Sequence, residues 1–318
     1  MSDHDLKPEE FAQAAAAAVA DAVGRDFRGA AAVLAQSGLC GVCAPESVGG
    51  LALDTAFAVP LVAEAGRQRL PWPLWETLLV AKALGEHPLA AALVAGDKTA
   101  TWALQGTLAE GWVGHARFAE EADWVLVADG QGGAALIDKA GVSVHADPAL
   151  DPDHPQAWLA LTEPPVLARL GAEAFAALQR DAQVLVASWA HGAAEGALVA
   201  TATYLSTRVQ FGRPLSAKQA VRHLLARMRL QQEAIKASIL RVLQPDEFGA
   251  QRDAQPVLVH ALAQTAFVLE KALHLHGGMG FTWELPLHHA LREVRKFDAA
   301  FGAGALAQAT GRAFVESV

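Results

Sequence analysis

The sequence has almost no cysteine: Cys40 and Cys43 stand together in Cys-Gly-Val-Cys, and there are no others. That spacing suits a redox pair or half of a zinc site, but no second pair exists to complete four thiolates. No metal site is expected, and one pair within the glycine-rich run SGLCGVCAPESVGG fits reduced, structural cysteine. Long uncharged apolar runs are also missing, so no helix of about 18 residues or more spans a membrane. The opening MSDHDLKPEE lacks the basic-then-apolar order of a secretory signal. Together these absences make the cytoplasm the expected location. Positive charge is scarce as well, with 25 Lys and Arg against 34 Asp and Glu and a net charge of −9. That balance argues against nucleic acid or an anionic membrane as the main partner, while leaving room for a local basic patch or a phosphorylated ligand. Glycine and proline are near average, which excludes collagen and disorder.

What is present is alanine, leucine and valine at helical spacing. A length of 318 residues corresponds to roughly two domains at about 150 residues each, but the local pattern changes character twice. Residues 1–97 read as an N-terminal helical domain. Pro8-Glu9-Glu10 opens the first helix with acidic first-turn residues, 27–38 form a second, and 52–67 and 73–96 follow around a corner at Pro71 and Pro73. Residues 98–163 read as a reduced β domain: TWAL, GWVGHARF, WVLVAD and GAALID are short pieces of an antiparallel sheet or barrel, with DPALDPDHPQ (147–156) as a loop before the last strand. Trp102, Trp112 and Trp124 are expected in its core or at an interface. Residues 164–318 read as a four-helix bundle over 168–208, 216–243, 251–276 and 286–316, the last broken near Phe301-Gly302. The fold class is mainly α.

Three runs then carry a resemblance. GLCGVCAPESVGG (38–50), TATYLSTRVQFGRPLSAKQAVRHLLARM (201–228) and HLHGGMGFTWELPLHHALRE (274–293) resemble, in order and spacing, segments of the acyl-CoA dehydrogenase family of flavoenzymes. The resemblance covers the chain apart from a shortened middle. It implies an N-terminal helical domain, a middle β domain and a C-terminal bundle, with FAD lying across a subunit interface. By resemblance, Arg208 reaches the FAD pyrophosphate, Phe211 packs on the adenine side and Gln219 hydrogen-bonds near it. Gly277, Gly278 and Gly280 bring backbone N–H groups to the diphosphate, and His274 stands where the family usually has Gln. The chemistry of these residue types agrees: an Arg fork suits phosphate oxygens, glycines let the backbone approach an anion, and an aromatic ring stacks on a base. Taken singly, each also has an ordinary structural reading.

The family's catalytic base is absent. Its activity needs a carboxylate that removes the α-proton while hydride leaves the β-carbon for the flavin. The usual Glu position falls on Phe301 in DAAFGAG, and Phe accepts no proton. An alternative family position on the first long bundle helix falls on Ala182. Its neighbour Asp181 points about 100° away on an ideal helix. Glu195, in HGAAEGALVA, is expected as a buried carboxylate with its pKa raised. Asp298 is assigned to a charged face with Arg292, Glu293, Arg295 and Lys296. The family's Thr-Glu-Pro-Gly-like run is also missing from TWALQGTLAEGWVGH (101–115).

Cofactor-tail residues without a chemical centre imply an auxiliary subunit. By resemblance to the smaller subunits of heteromeric bacterial enzymes that degrade steroids and side chains, a full-length paralogue supplies the flavin pocket, the base and most of the acyl-CoA site. Two alternatives stay open: a self-sufficient homomeric dehydrogenase with a displaced base, Asp181 or Glu195, and a flavin-free structural or CoA-binding module. Stretches such as ALVATATYL (197–205) and ALAQTAFVLEKAL (261–273) are too apolar for a solvated bundle. They imply an oligomer, dimeric alone and a two-plus-two heterotetramer with its partner.

Overall fold

The computed structural model describes residues 7–147 and 151–316. Its elements fall into two compact units, Met1–Ala65 with Leu70–Leu185 and Gly66–Arg69 with Val186–Val318.

In the first unit, helix signals act locally. Pro8 sits in the first turn of α1 (Pro8–Val23), where its missing N–H costs nothing. The Asp26 carboxylate accepts a 2.7 Å hydrogen bond from the Gly29 N–H and caps α2 (Phe27–Gln36). α3 (Thr55–Gln68) follows. The apolar stretch 73–96 forms two helices, α4 (Leu74–Leu84) and α5 (Pro88–Val94), because Gly85 adopts φ +57 and His87 caps the restart. Cys40 and Cys43 are free thiols buried between these helices' connections, and burial pushes both up to about 12.

The β segment holds β1 (Ala100–Trp102), β2 (Gln105–Thr107), β3 (Trp112–Arg117), β4 (Trp124–Ala128), β5 (Ala134–Asp138), β6 (Val142–Asp147), β7 (Gln156–Leu161) and β8 (Val166–Leu170). They make two four-stranded sheets, ordered β1-β4-β5-β8 and β2-β3-β7-β6. Inward residues of both sheets, among them Val113, Val125, Ile137 and Leu159, form one buried core.

Three readings of the sequence need correction here. The segment is not wholly antiparallel, since β1 pairs with β4 in parallel. The loop at 147–156 precedes two strands rather than one; its residues 148–150 lie outside the described residues. Val166–Leu170 is a strand paired with β5, so the long helix begins after it. Of the three tryptophans expected in the core or at an interface, Trp102 and Trp124 are buried in the chain and Trp112 is 51% exposed. Between sheet and helices, Arg117 Nη1 donates to Glu76 Oε1 at 2.6 Å, an ion pair with both partners buried.

α6 (Ala172–Thr207) runs from the first unit into the second. There it joins α7 (Gln219–Val242), α8 (Gln255–Leu275), α9 (Leu287–Ala300) and α10 (Ala303–Glu316). α7 packs on α8, α8 on α9, and α10 on both α8 and α9. Thr265 Oγ1 donates to the Ala190 carbonyl at 3.1 Å, and Trp189 meets Phe297 edge-on at 5.3 Å, so α6 is fastened to α8 and α9. Inside the bundle His191 and Gln232 approach Nε2 to Nε2 at 3.2 Å. The fold is therefore mainly α, with N-terminal helices, a small β region and a C-terminal helix bundle. No helix among the described residues is long and apolar enough to cross a membrane.

Candidate functional site

The residues that the sequence assigns to a cofactor tail lie on two connected segments at one end of the second unit. The first is the link between α6 and α7. β9 (Val209–Gln210) and β10 (Arg213–Pro214) form a hairpin whose two-residue tip is Phe211-Gly212, at φ +54 and φ +74. Two successive positive φ values are what a tight two-residue hairpin demands, and Asn-Gly is the usual solution. A Phe in this region costs about 1–2 kcal/mol. What it obtains is exposure: Phe211 is 90% exposed, with the Lys218 ammonium 5.1 Å from its ring centre. Arg208 is exposed at the hairpin's base, where its N–H donates to the Tyr204 carbonyl and its carbonyl accepts from the Leu215 N–H, each at 2.9 Å. Gln219 is exposed at the first position of α7.

The second segment is the short 3₁₀ turn Gly277–Phe281 after α8. Its three glycines are glycine for three different reasons. Gly277 takes φ +61. Gly280 is buried with its α-carbon against α8, so that a Cβ would lie 2.3 Å from the Leu273 carbonyl oxygen. Gly278 has neither constraint, since a Cβ there meets nothing within 4 Å. Its bare face is open to whatever approaches from outside the chain. His274 is exposed on the last turn of α8.

A contact that the sequence reading missed joins the two segments. Tyr204 and His276 stack with ring centres 4.5 Å apart and planes at 22°. His276 is buried, and its Nδ1 lies 2.8 Å from the Ala272 carbonyl. Tyr204 precedes Arg208 by one helical turn and His276 precedes Gly277 directly, so the stack holds the hairpin's root beside the glycine turn. The signal available in advance was that the chain's single tyrosine lies one turn before the Arg. Beyond the turn, Phe281 is 79% and Trp283 65% exposed. Trp283 is flanked by the Arg292 guanidinium at 5.2 Å and His289 at 4.9 Å.

The two candidate bases both stand on α6. Asp181 is buried in the first unit, where Lys82 Nζ donates to it at 2.6 Å and also reaches Thr55 Oγ1 at 2.8 Å. Nothing in the sequence links positions 82 and 181. Glu195 is half-buried rather than buried, one turn from His191. Phe301 caps α9, its N–H donating to the Phe297 carbonyl at 3.0 Å, with Gly302 at φ +60 ending the helix. The charged face expected on α9 is also corrected. Glu293 is buried and held by Lys296 at 2.5 Å, while Arg295 reaches Glu270 at 2.8 Å.

As a surface, hairpin and turn offer a fixed positive charge, a projecting aromatic ring and open backbone, a set that fits the adenosine diphosphate end of a dinucleotide. Residues 175–310 match the family description "Acyl-CoA dehydrogenase, C-terminal domain". The acyl-CoA dehydrogenase FadE34 of Mycobacterium tuberculosis is 29% identical over 284 residues, covering 85% of this chain; the chain spans only 39% of FadE34. A solved steroid acyl-CoA dehydrogenase, the Tcur3481–Tcur3483 G363A variant, superposes with a TM-score of 0.83 at 26% identity, covering 98% of each chain. The ChsE4–ChsE5 complex of Mycobacterium tuberculosis does so with 0.83 at 22% identity, covering 99% of each, a likeness of fold. The bundle is thus matched by sequence to the C-terminal domain of acyl-CoA dehydrogenases, and the whole chain is similar to a solved steroid acyl-CoA dehydrogenase in architecture.

Proposed function

We propose that this chain is an auxiliary subunit of an FAD-dependent acyl-CoA dehydrogenase. It holds the adenosine diphosphate part of FAD, while a paralogous partner supplies the flavin pocket, the base and most of the acyl-CoA site. The observation that carries this is the pairing of an outward-facing hairpin and glycine turn with Phe301 as a plain helix cap where the family base is usual. Arg208 supplies a planar charge-assisted donor to phosphate oxygens. Phe211 offers a ring face for the adenine, and Gln219 offers an amide beside it. Gly277 and Gly278 leave main-chain N–H groups open to the diphosphate, and His274 stands at the edge of that turn. Bound FAD would supply the hydride acceptor for α,β-desaturation of a thioester. A bulky ring-containing acyl group is the substrate class suggested by the steroid enzyme whose fold this chain shares.

Co-expression with full-length acyl-CoA dehydrogenase paralogues tests the reading. A yellow complex active on acyl-CoA is expected, and Arg208→Ala should lower its flavin content by far more than its unfolding temperature, because a desolvated charge pair to phosphate costs roughly 2–5 kcal/mol. Failure of every paralogue to co-purify ends the proposal. A self-sufficient homomeric enzyme using Asp181 or Glu195 instead predicts that the chain alone is yellow and bleaches with acyl-CoA. The Lys82–Asp181 pair speaks for a structural role of that carboxylate. A flavin-free structural or CoA-binding module predicts colourless assemblies throughout.

A further inference from the structure

α7 carries two stripes, and only one is used within the chain. Met228, Gln232, Ile235, Ile239 and Val242 face the bundle. On the opposite side Ala226, Leu230, Ala237 and Leu240 recur at alternating three- and four-residue steps, with His223 and Glu233 in the same register, and all are exposed. Leu230 is 65% and Leu240 46% exposed. This is the spacing of a helix–helix seam. The row along one flank is Arg222, Arg229 and Lys236, every position cationic; the other flank carries Arg227 and Arg241. Between 208 and 241 Glu233 is the one carboxylate, in a chain whose net charge is −9. It is engaged by Arg229 on the same helix. Arg227 turns its guanidinium over Phe267 of α8, 5.0 Å from the ring centre.

The charge rows decide the occupant. If two copies of α7 pair antiparallel, each flank meets itself; if parallel, each meets the other. Cation faces cation in both arrangements, which is unfavourable for like charges across a seam. A second copy of this chain is therefore a poor occupant, which narrows the expectation of a homodimer formed through the bundle. The seam begins at Gln219, so it is continuous with the hairpin surface. We propose that the outer face of α7 docks a helix of a different chain, one with a small-apolar seam flanked by acidic residues. The proposal rests on the auxiliary-subunit reading for the identity of that chain as the catalytic paralogue; the charge argument stands apart from it.

Two measurements test it. In the first, Leu230→Cys places a thiol on the seam, the native cysteines being buried. A mixture of L230C with a tagged R222E/R229E/K236E/L230C chain, whose reversed row imitates the acidic flank, is oxidised beside L230C alone. Preferential disulfide formation in the mixture supports the proposal; no such preference, through equal linkage or none, overturns it. In the second, R222E/R229E/K236E is co-expressed with the paralogue that gives the yellow complex. Retention is expected to fall by about tenfold or more and to weaken further with salt in the parent, with the unfolding temperature of the variant chain unchanged. Undiminished retention overturns the α7 assignment while leaving the auxiliary reading intact. If the unaltered chain retains no paralogue, the auxiliary reading fails and the cross-linking comparison still judges the seam.

Discussion

Alanine substituted singly for the glycines of the turn after α8 should separate what serves the fold from what serves a ligand. At Gly278 a Cβ meets nothing within 4 Å and the backbone is outside the left-handed region. Gly278→Ala therefore costs the folded chain nothing and restricts the unfolded one, a gain of about 0.4–1 kcal/mol. At Gly277, φ +61 makes alanine cost about 1–2 kcal/mol. At Gly280 the new Cβ would sit 2.3 Å from the Leu273 carbonyl oxygen and 3.0 Å from its carbon, an overpacking penalty of about 1–3 kcal/mol or more. With roughly 2–4 °C per kcal/mol for a unit of this size, thermal unfolding should rank the variants 278 above parent, then 277, then 280. Flavin absorbance of the co-purified complex should not follow that order. A methyl at 278 stands where a diphosphate must approach the main chain, so Gly278→Ala should lose flavin about tenfold or more while melting at or above the parent. A Gly278→Ala complex with full flavin content refutes the close approach. One that melts as low as Gly280→Ala refutes the geometry.

Phe211→Asn should move stability and binding in opposite directions, relieving about 1 kcal/mol of left-handed strain at the hairpin tip while lowering flavin content; unchanged flavin content assigns the ring no role. Burial holds His191 below its ordinary value of 6.5, so the unfolded chain takes up the proton first, and stability present above pH 6.5 is lost as the pH falls through the window beneath it. Since burial lowers His260 and His288 too, His191→Gln should reduce the acid-side fall in unfolding temperature without abolishing it, and an identical fall argues against His191. Both thiols are pushed up to about 12 by burial, so iodoacetamide at pH 8 should label neither until the chain is denatured; prompt labelling of native protein refutes a purely structural Cys40–Cys43 pair.

The limits of sequence reading here follow from which forces are local. Helix breaks at Gly85 and Gly302 and the hairpin tip Phe211-Gly212 are written in residues whose φ requirement acts where they stand. The sequence reads as helix from 168 onward, since leucine and alanine suit one, and only pairing with β5 makes Val166–Leu170 a strand. The parallel partnership of β1 and β4 has no local signature at all. The same division holds at the candidate site. The family resemblance points to Arg208, Phe211, Gln219 and the glycines. It does not distinguish Gly278, where a Cβ meets nothing within 4 Å, from Gly280, which α8 constrains. The Lys82 partner of Asp181 and the His276 partner of Tyr204 are tertiary facts. So is the burial of Glu293, which stands in sequence among Arg292, Arg295 and Lys296.

The route of the chain through the two sheets bears on how this protein is made. β1 enters one sheet, β2 and β3 the other, β4 and β5 the first again, β6 and β7 the second, and β8 closes the first. Neither sheet is a contiguous length of polypeptide, so no single cut releases one of them whole, and no fragment ending between them has a finished hydrophobic face. During synthesis the sheet begun at Ala100 lacks its last strand until Leu170 has left the ribosome, immediately before α6. The helices on either side close over near neighbours, but the β segment must wait for distant ones, and such long-range pairings are slow to form. This stretch is therefore where a nascent chain shows sticky, half-built edges the longest and where a chaperone would have most to protect.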